Sequence, residues 1–216
     1  MGGRCFIIGN GPSLNKTNLS LLDNEVTIGS NRIALRYHPT YVCCSDQRFA
    51  YEYAQHMLTS KSKFIFTDQV AKVLSKLPTY RPSDTRIVNM ITPSNILSTT
   101  SFDPNFKKVA WGRTVLIDLC VPLASYLKFD EIYLVGVDWT ESAHFYPNNE
   151  KNFTKWLRKN PTARQEYSPL PTSRLDRKDK YLKKAAQLYG KPIYDCTVDG
   201  KLIMFPKKSL KEVLRK

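Results

Sequence analysis

Short apolar runs rich in β-branched residues recur along the chain, separated by stretches where apolar residues return at helical spacing or give way to polar loops. The runs predict strands at Cys5–Ile8, Val26–Gly29, Thr40–Cys44, Phe64–Thr67, Arg86–Met90, Glu131–Val137 and Pro192–Asp195. Between them, residues 46–60 (DQRFAYEYAQHMLTS) and 68–77 (DQVAKVLSKL) have the periodicity of amphipathic helices. Residues 112–129 (GRTVLIDLCVPLASYLKF) are apolar on nearly every side, which predicts a buried helix kinked at Pro122. Asp118 interrupts that helix, and a buried carboxylate in such a setting is more often satisfied by a neighbouring turn than catalytic. From Asn148 to Lys178 the pattern dissolves into Lys, Arg, Asn and Pro, so an irregular basic lid or insertion is expected near the C-terminus, followed by a helix over Asp179–Leu188. The alternation as a whole predicts an α/β fold with a doubly wound, mostly parallel sheet.

Ligands of such sheets bind beyond the carboxyl ends of the strands, near the point where strand order reverses. The first strand runs into GNGPSLN (residues 9–15), which has Gly9 and Gly11 but Leu14 where a dinucleotide fingerprint needs its third glycine, and no Gly-Lys-Ser/Thr follows. Its usable groups are the backbone at Gly9 and Gly11, the Asn10 amide and the Ser13 hydroxyl, and its bland alternative is a tight structural turn. GSNR (29–32) puts Asn31, suited to a base, a ribose or a helix cap, and Arg32, suited to phosphate, at the second strand end. WGRT (111–114) offers Gly112, Arg113 and Thr114 at a helix start, where free amides bind anions or the threonine merely caps. EIYLVGVD delivers Asp138, a candidate base, metal ligand, holder of sugar hydroxyls or loop anchor. The loop after it carries His144, the leading acid/base candidate, and Tyr146. His38 and His56 have ordinary structural or surface settings.

Length and composition narrow the classes. A chain of 216 residues fits one catalytic domain over 1–216, with 148–178 as the lid. It has no apolar run long enough to span a bilayer and enters a strand almost at once, which leads to the expectation of a cytoplasmic protein without a leader. Five cysteines, none in a C-x-x-C pair, point to reduced and mostly buried thiols. Charge is uneven: residues 1–150 carry 15 Lys+Arg against 13 Asp+Glu, whereas residues 151–216 carry 18 against 6. A segment so basic attracts anions such as nucleic-acid phosphates, a membrane surface or an anionic acceptor, or simply keeps the protein soluble.

FIIGNGPSL, the strand-final Asn31, the Gly/Thr helix start and FDEIYLVGVD together resemble the bacterial sialyltransferases of glycosyltransferase family 42, and a broader related family that includes archaeal 6-hydroxymethylpterin diphosphokinases. IYDCTVDGKLIMFPK (193–207) looks especially like the broader family. The resemblance covers residue 4 to about 207 and implies a Rossmann-like nucleotide-binding fold. It puts Asn10, Asn31 and Thr114 on the nucleotide, and Tyr146 on the departing phosphate. Thr140 stands where a second such tyrosine is expected, and Thr172 and Ser173 stand near the expected catalytic histidine. His144 and Phe145 match an HF pair common in the broader family. The implied activity is a glycosyltransferase that moves a sugar from a nucleotide-activated donor to a hydroxyl of an anionic acceptor: a surface or lipid-linked glycan, or a modified nucleic acid. Peripheral membrane contact would run through the basic C-terminal third, and no cofactor is firmly predicted. Two alternatives are a diphosphokinase, with magnesium on Asp138, and a basic nucleotide- or nucleic-acid-binding module without a reaction.

Overall fold

The computed structural model describes residues 2–54, 56, 60–77, 85–112, 114–140, 144–145, 155, 158–159 and 175–215. Among them, β1 (Arg4–Ile8), β2 (Thr27–Ser30), β3 (Tyr41–Cys44), β4 (Lys63–Thr67), β5 (Thr85–Asn95), β6 (Lys108–Trp111), β7 (Glu131–Val135) and β8 (Ile193–Asp195) form one sheet. The order is β6-β5-β4-β3-β2-β1-β7-β8 with every pairing parallel. The expected doubly wound α/β sheet is therefore present, and β6 is a strand that the apolar pattern does not announce. Strand order reverses at β1, which lies between β2 and β7, so the carboxyl ends of these three strands frame the crevice.

Alternation within each strand decides which face a residue covers. In β1, Cys5 and Ile7 join Ile132 and Leu134 of β7 on one face. Phe6 and Ile8 join Tyr133 and Val135 on the other, where Phe6, Tyr133 and Tyr194 stack with ring centroids 5.3 and 5.2 Å apart. The first face is covered by the turn Leu116–Cys120, by α3 (Val121–Tyr126) and by α4 (Leu175–Tyr189). On the second face, short 3-10 turns at Pro12–Lys16 and Leu19–Leu22 and α5 (Leu210–Leu214) cover β1 and β7. α1 (Gln47–Glu52) and α2 (Asp68–Leu74) cover β3 and β4. All five cysteines are free and buried, and burial pushes the Cys196 thiol up to about 12, so these thiols are packing groups rather than nucleophiles.

The predicted helix over 112–129 is two segments. Leu116–Cys120 is a π turn, in which the Val121 N–H reaches back to the Leu116 carbonyl, and α3 follows. Pro122 has no N–H with which to continue the ladder, so the wider turn just before it absorbs the change of register. The expected carboxyl-terminal helix is longer than its periodicity suggests, starting at Leu175. Most of the expected lid, 148–178, lies outside the described residues. Among the described residues no helix is long and apolar enough to cross a membrane.

Candidate functional site

The ends of β1 and β7 are clasped to each other by main-chain and side-chain bonds. The N–H groups of Gly9 and Gly11 donate to the carbonyls of Val135 and Gly136, both at 2.8 Å. Asp138 then accepts from the Ser13 N–H at 3.1 Å and from the Ser13 hydroxyl at 2.6 Å. A Cβ on Gly11 would overlap the Asp138 carboxylate and approach the Gly136 carbonyl oxygen to 2.8 Å, and a Cβ on Gly9 would meet the Gly136 carbonyl as well. Leu14, in place of a third glycine, is fully buried and seated against Gly136, whose φ of +68° suits glycine. The glycines thus make room for β7 and its carboxylate, and Ser13 is occupied by Asp138.

One step away, at the ends of β1 and β2, Asn10 presents a different situation. Its amide donates to the carbonyl and to the hydroxyl of Ser30, both at 2.7 Å, and the Ser30 hydroxyl in turn donates to the Ile8 carbonyl at 3.1 Å. The Asn10 side chain is thereby fixed in a buried position with its Oδ1 facing no donor among the described residues. A buried acceptor left in that state is destabilising by about 1–3 kcal/mol unless a ligand or water supplies a donor.

His144 meets the backbone of the same residue. Its ring hydrogen-bonds the Asn10 carbonyl, which also accepts from the Phe145 N–H at 2.9 Å. Phe145 is held in turn by the Arg36 guanidinium 5.7 Å from its ring centroid, and Arg36 bonds Asn15 at 2.6 Å. Desolvation lowers the His144 imidazole below its ordinary 6.5, and the nearby Arg32 and Lys178 charges add to this, against the Asn10 bond and the Asp46 carboxylate. The ring is therefore neutral at pH 7 and able to accept a proton.

Arg32 and Asn31 occupy the β2 end differently from a pair of ligand arms. Asn31 adopts φ +45° and accepts from the Ser45 N–H at 3.3 Å. Arg32 is buried with its guanidinium 5.7 Å from the Tyr53 ring centroid, so its charge reaches the site through space rather than by a solvent-facing arm. After β6, the Gly112 N–H donates to the buried Asp118 carboxylate, and the Thr114 hydroxyl accepts from the Ile117 N–H at 3.3 Å. Two groups of the predicted anion site, the Gly112 amide and the Thr114 hydroxyl, are thus engaged within the protein. The turn Leu116–Cys120 that follows packs on β2 and β3 as well as β6. Arg113 and Tyr146 lie outside the described residues.

Four groups at this edge carry no motif of their own. Ser30 fixes Asn10, and Thr197 accepts from the Val137 N–H at 3.1 Å. Asp46 caps α1 by accepting from the Arg48 and Phe49 N–H groups at 2.9 and 3.4 Å. Trp139, at φ +58°, donates its indole N–H to Asp179 of α4. The SDQ stretch ahead of a helix was a readable signal for Asp46; the others follow only from strands brought together in space. Magnesium, which a diphosphokinase would need, fits these residues poorly: both Asp138 oxygens face Ser13, and no group of three His, Cys, Asp or Glu side chains converges among the described residues.

No protein-family model matches the sequence, and no curated protein matches it. Solved structures do. The sialyltransferase CstII from Campylobacter jejuni in complex with the substrate analogue CMP-3FNeuAc shares 17% identity at a TM-score of 0.59, over 95% of this chain and 86% of that one. The same fold relation holds to CST-II with a trisaccharide acceptor and CMP, at 18% identity, TM-score 0.57, and 95% and 86% coverage. An apo alpha-2,3-sialyltransferase from Campylobacter jejuni has 16% identity, TM-score 0.51, and 95% and 79% coverage. The fold is that of these sialyltransferases. At this level of identity the likeness concerns the path of the chain and leaves the chemistry to the residues.

Proposed function

We propose that the chain is a glycosyltransferase that takes a sugar from a nucleotide-activated donor, with the nucleotide held at the β1–β2 end. The observation that carries this reading is the buried Asn10 amide, whose Oδ1 lacks a donor among the described residues, at the reversal of strand order in a fold shared with proteins that bind CMP. An amino or hydroxyl group of the donor's nucleoside would satisfy that oxygen. His144, neutral and against the Asn10 carbonyl, is the base: it takes the proton of the acceptor hydroxyl as that oxygen bonds to the sugar's anomeric carbon. The bond from anomeric carbon to phosphate oxygen breaks at the same centre, and the nucleotide leaves with the electron pair. Asp138 has a holding role through Ser13 rather than a share in proton transfer. Tyr146 is assigned to the departing phosphate on the resemblance, and Arg113 on its place in the sequence beside a helix start.

The acceptor is an anionic glycan, free or lipid-linked, attracted by the basic last third, and the protein works at the cytoplasmic face of a membrane without spanning it. A thermal-shift series with CMP, UDP, GDP and ADP, with and without magnesium, tests the donor assignment. A pyrimidine nucleotide should raise the melting temperature without metal, and Asn10→Ala should remove most of that shift. Stabilisation by ATP or ADP only with magnesium would overturn the reading in favour of the diphosphokinase.

A further inference from the structure

The segment that follows β8 comes back to the site and then leaves an apolar side chain in water. Its anchors are firm: the Cys196 N–H donates to the Leu134 carbonyl at 2.8 Å, Thr197 accepts from the Val137 N–H, and the Lys201 N–H donates to the Asp138 carbonyl at 3.0 Å. Leu202 is buried, and Met204 and Phe205 pack against the main core. Between these inward-facing residues Ile203 is 95% exposed, and Val198, across the same loop, is 39% exposed. The other exposed large apolar residues among those described, Leu21 and Leu97, reach only 41% and 44%. One isolated apolar side chain on a surface is ordinary. Its setting is not, because a rigidly anchored loop holds it out beside basic side chains.

Lys201 is exposed two residues before Ile203, and Lys207 is exposed four residues after it. Lys16 reaches the loop from the first turn and pairs with Asp199 at 2.7 Å. Lys207 pairs with the buried Asp195, and Lys208 lies 3.1 Å from the Tyr194 ring centroid, so both are fixed in place. Along the sequence, residues 151–216 carry 18 basic against 6 acidic side chains. An apolar tip with the exposed Lys201 two residues away, in a stretch of sequence with a large basic excess, matches an anionic bilayer surface, where apolar groups enter the interface and cations meet the headgroups. A specific protein partner would need a far larger apolar face than two side chains provide.

We propose that the loop Val198–Ile203 docks the protein on an anionic membrane, with Ile203 inserted at the headgroup boundary and Lys201 among the headgroups. The Lys201 bond to the Asp138 carbonyl then sets the strand-end crevice beside the bilayer, where a lipid-linked acceptor is presented. The purpose of the docking rests on the glycosyltransferase reading, whereas its geometry does not.

Co-sedimentation of the full chain with vesicles tests this, comparing phosphatidylcholine alone with phosphatidylcholine mixed with phosphatidylglycerol. Wild type should bind the mixed vesicles selectively and lose binding as salt rises. Ile203→Glu should weaken that binding about tenfold and Lys201→Glu severalfold. The melting temperature of Ile203→Glu, and its shift with CMP, should stay at wild-type values, because the side chain touches no core. Equal binding to both vesicle types, or wild-type binding by Ile203→Glu, would overturn the proposal. So would a dimer in size-exclusion chromatography that Ile203→Glu dissociates, which would make the tip an interface between copies. Loss of nucleotide binding with vesicle binding intact would overturn the donor assignment and leave the docking in place.

Discussion

The turn after β1 and the turn after β6 solve one problem in two ways. Each contains a glycine at which a Cβ would collide, with the Asp138 carboxylate at Gly11 and chiefly with the Ile117 side chain at Gly112, and in each a carboxylate takes a backbone N–H: Asp138 that of Ser13, Asp118 that of Gly112. Asp118 is six residues from Gly112 and fully buried, so its turn is closed within one segment. Asp138 comes from 125 residues away, so its turn joins two strands. An anion-binding turn and a turn that holds its own anion look alike along the chain, because both need glycines, free amides and a hydroxyl. Within the turn after β1, the Asn10 Oδ1 is left without a donor among the described residues.

Four substitutions and conditions break or sharpen this comparison. Asp118→Ala should cost the most, about 3 kcal/mol in urea unfolding, because it leaves the Gly112 N–H buried without its acceptor and opens a cavity. Gly11→Ala should follow at about 2 kcal/mol, since a Cβ there collides with Asp138 and the Gly136 carbonyl, and it should also weaken nucleotide binding by displacing Asn10. Asp138→Asn should cost about 1 kcal/mol, because the amide can still accept one Ser13 bond. If Asp138 were the base or a metal ligand instead, kcat would collapse in Asp138→Asn with stability nearly intact, and the holding role would be wrong.

Acidification gives the smallest effect. The unfolded chain protonates His144 near 6.5, whereas the folded chain does so only at lower pH. The stability attached to this group is fully present above 6.5 and is lost as pH falls from there through the lower folded value. Transferase activity should fall across the same folded-state titration, and a His144→Gln variant should lose both the activity and this limb of the stability profile. A profile unchanged in His144→Gln would remove the base from its assigned place.

Periodicity made the sheet legible because a buried parallel strand must be apolar on both faces, and Phe6-Ile7-Ile8 or Leu134-Val135 can be little else. It missed β6, whose four residues LysValAlaTrp include one fully apolar buried position, Val109, and no alternation. It also read one helix where Pro122 demands a π turn ahead of α3. At the site, Asn10 was legible as the polar residue between two glycines at a strand end. Its Ser30 clamp and its contact with His144 were not, since a hydrogen-bond partner is chosen by which strands lie side by side.

The sequence by itself determined the strand set, the crevice edge and the candidate groups along it, because apolar periodicity and glycine placement are local properties of the chain. Only the tertiary structure decided how those groups divide, since an N–H or carboxylate is spent or open according to what other segments bring within about 3 Å. It gave the Ser13 hydroxyl to Asp138 and the Gly112 amide to Asp118, laid Arg32 beneath Tyr53, and left the Asn10 oxygen without a donor among the described residues.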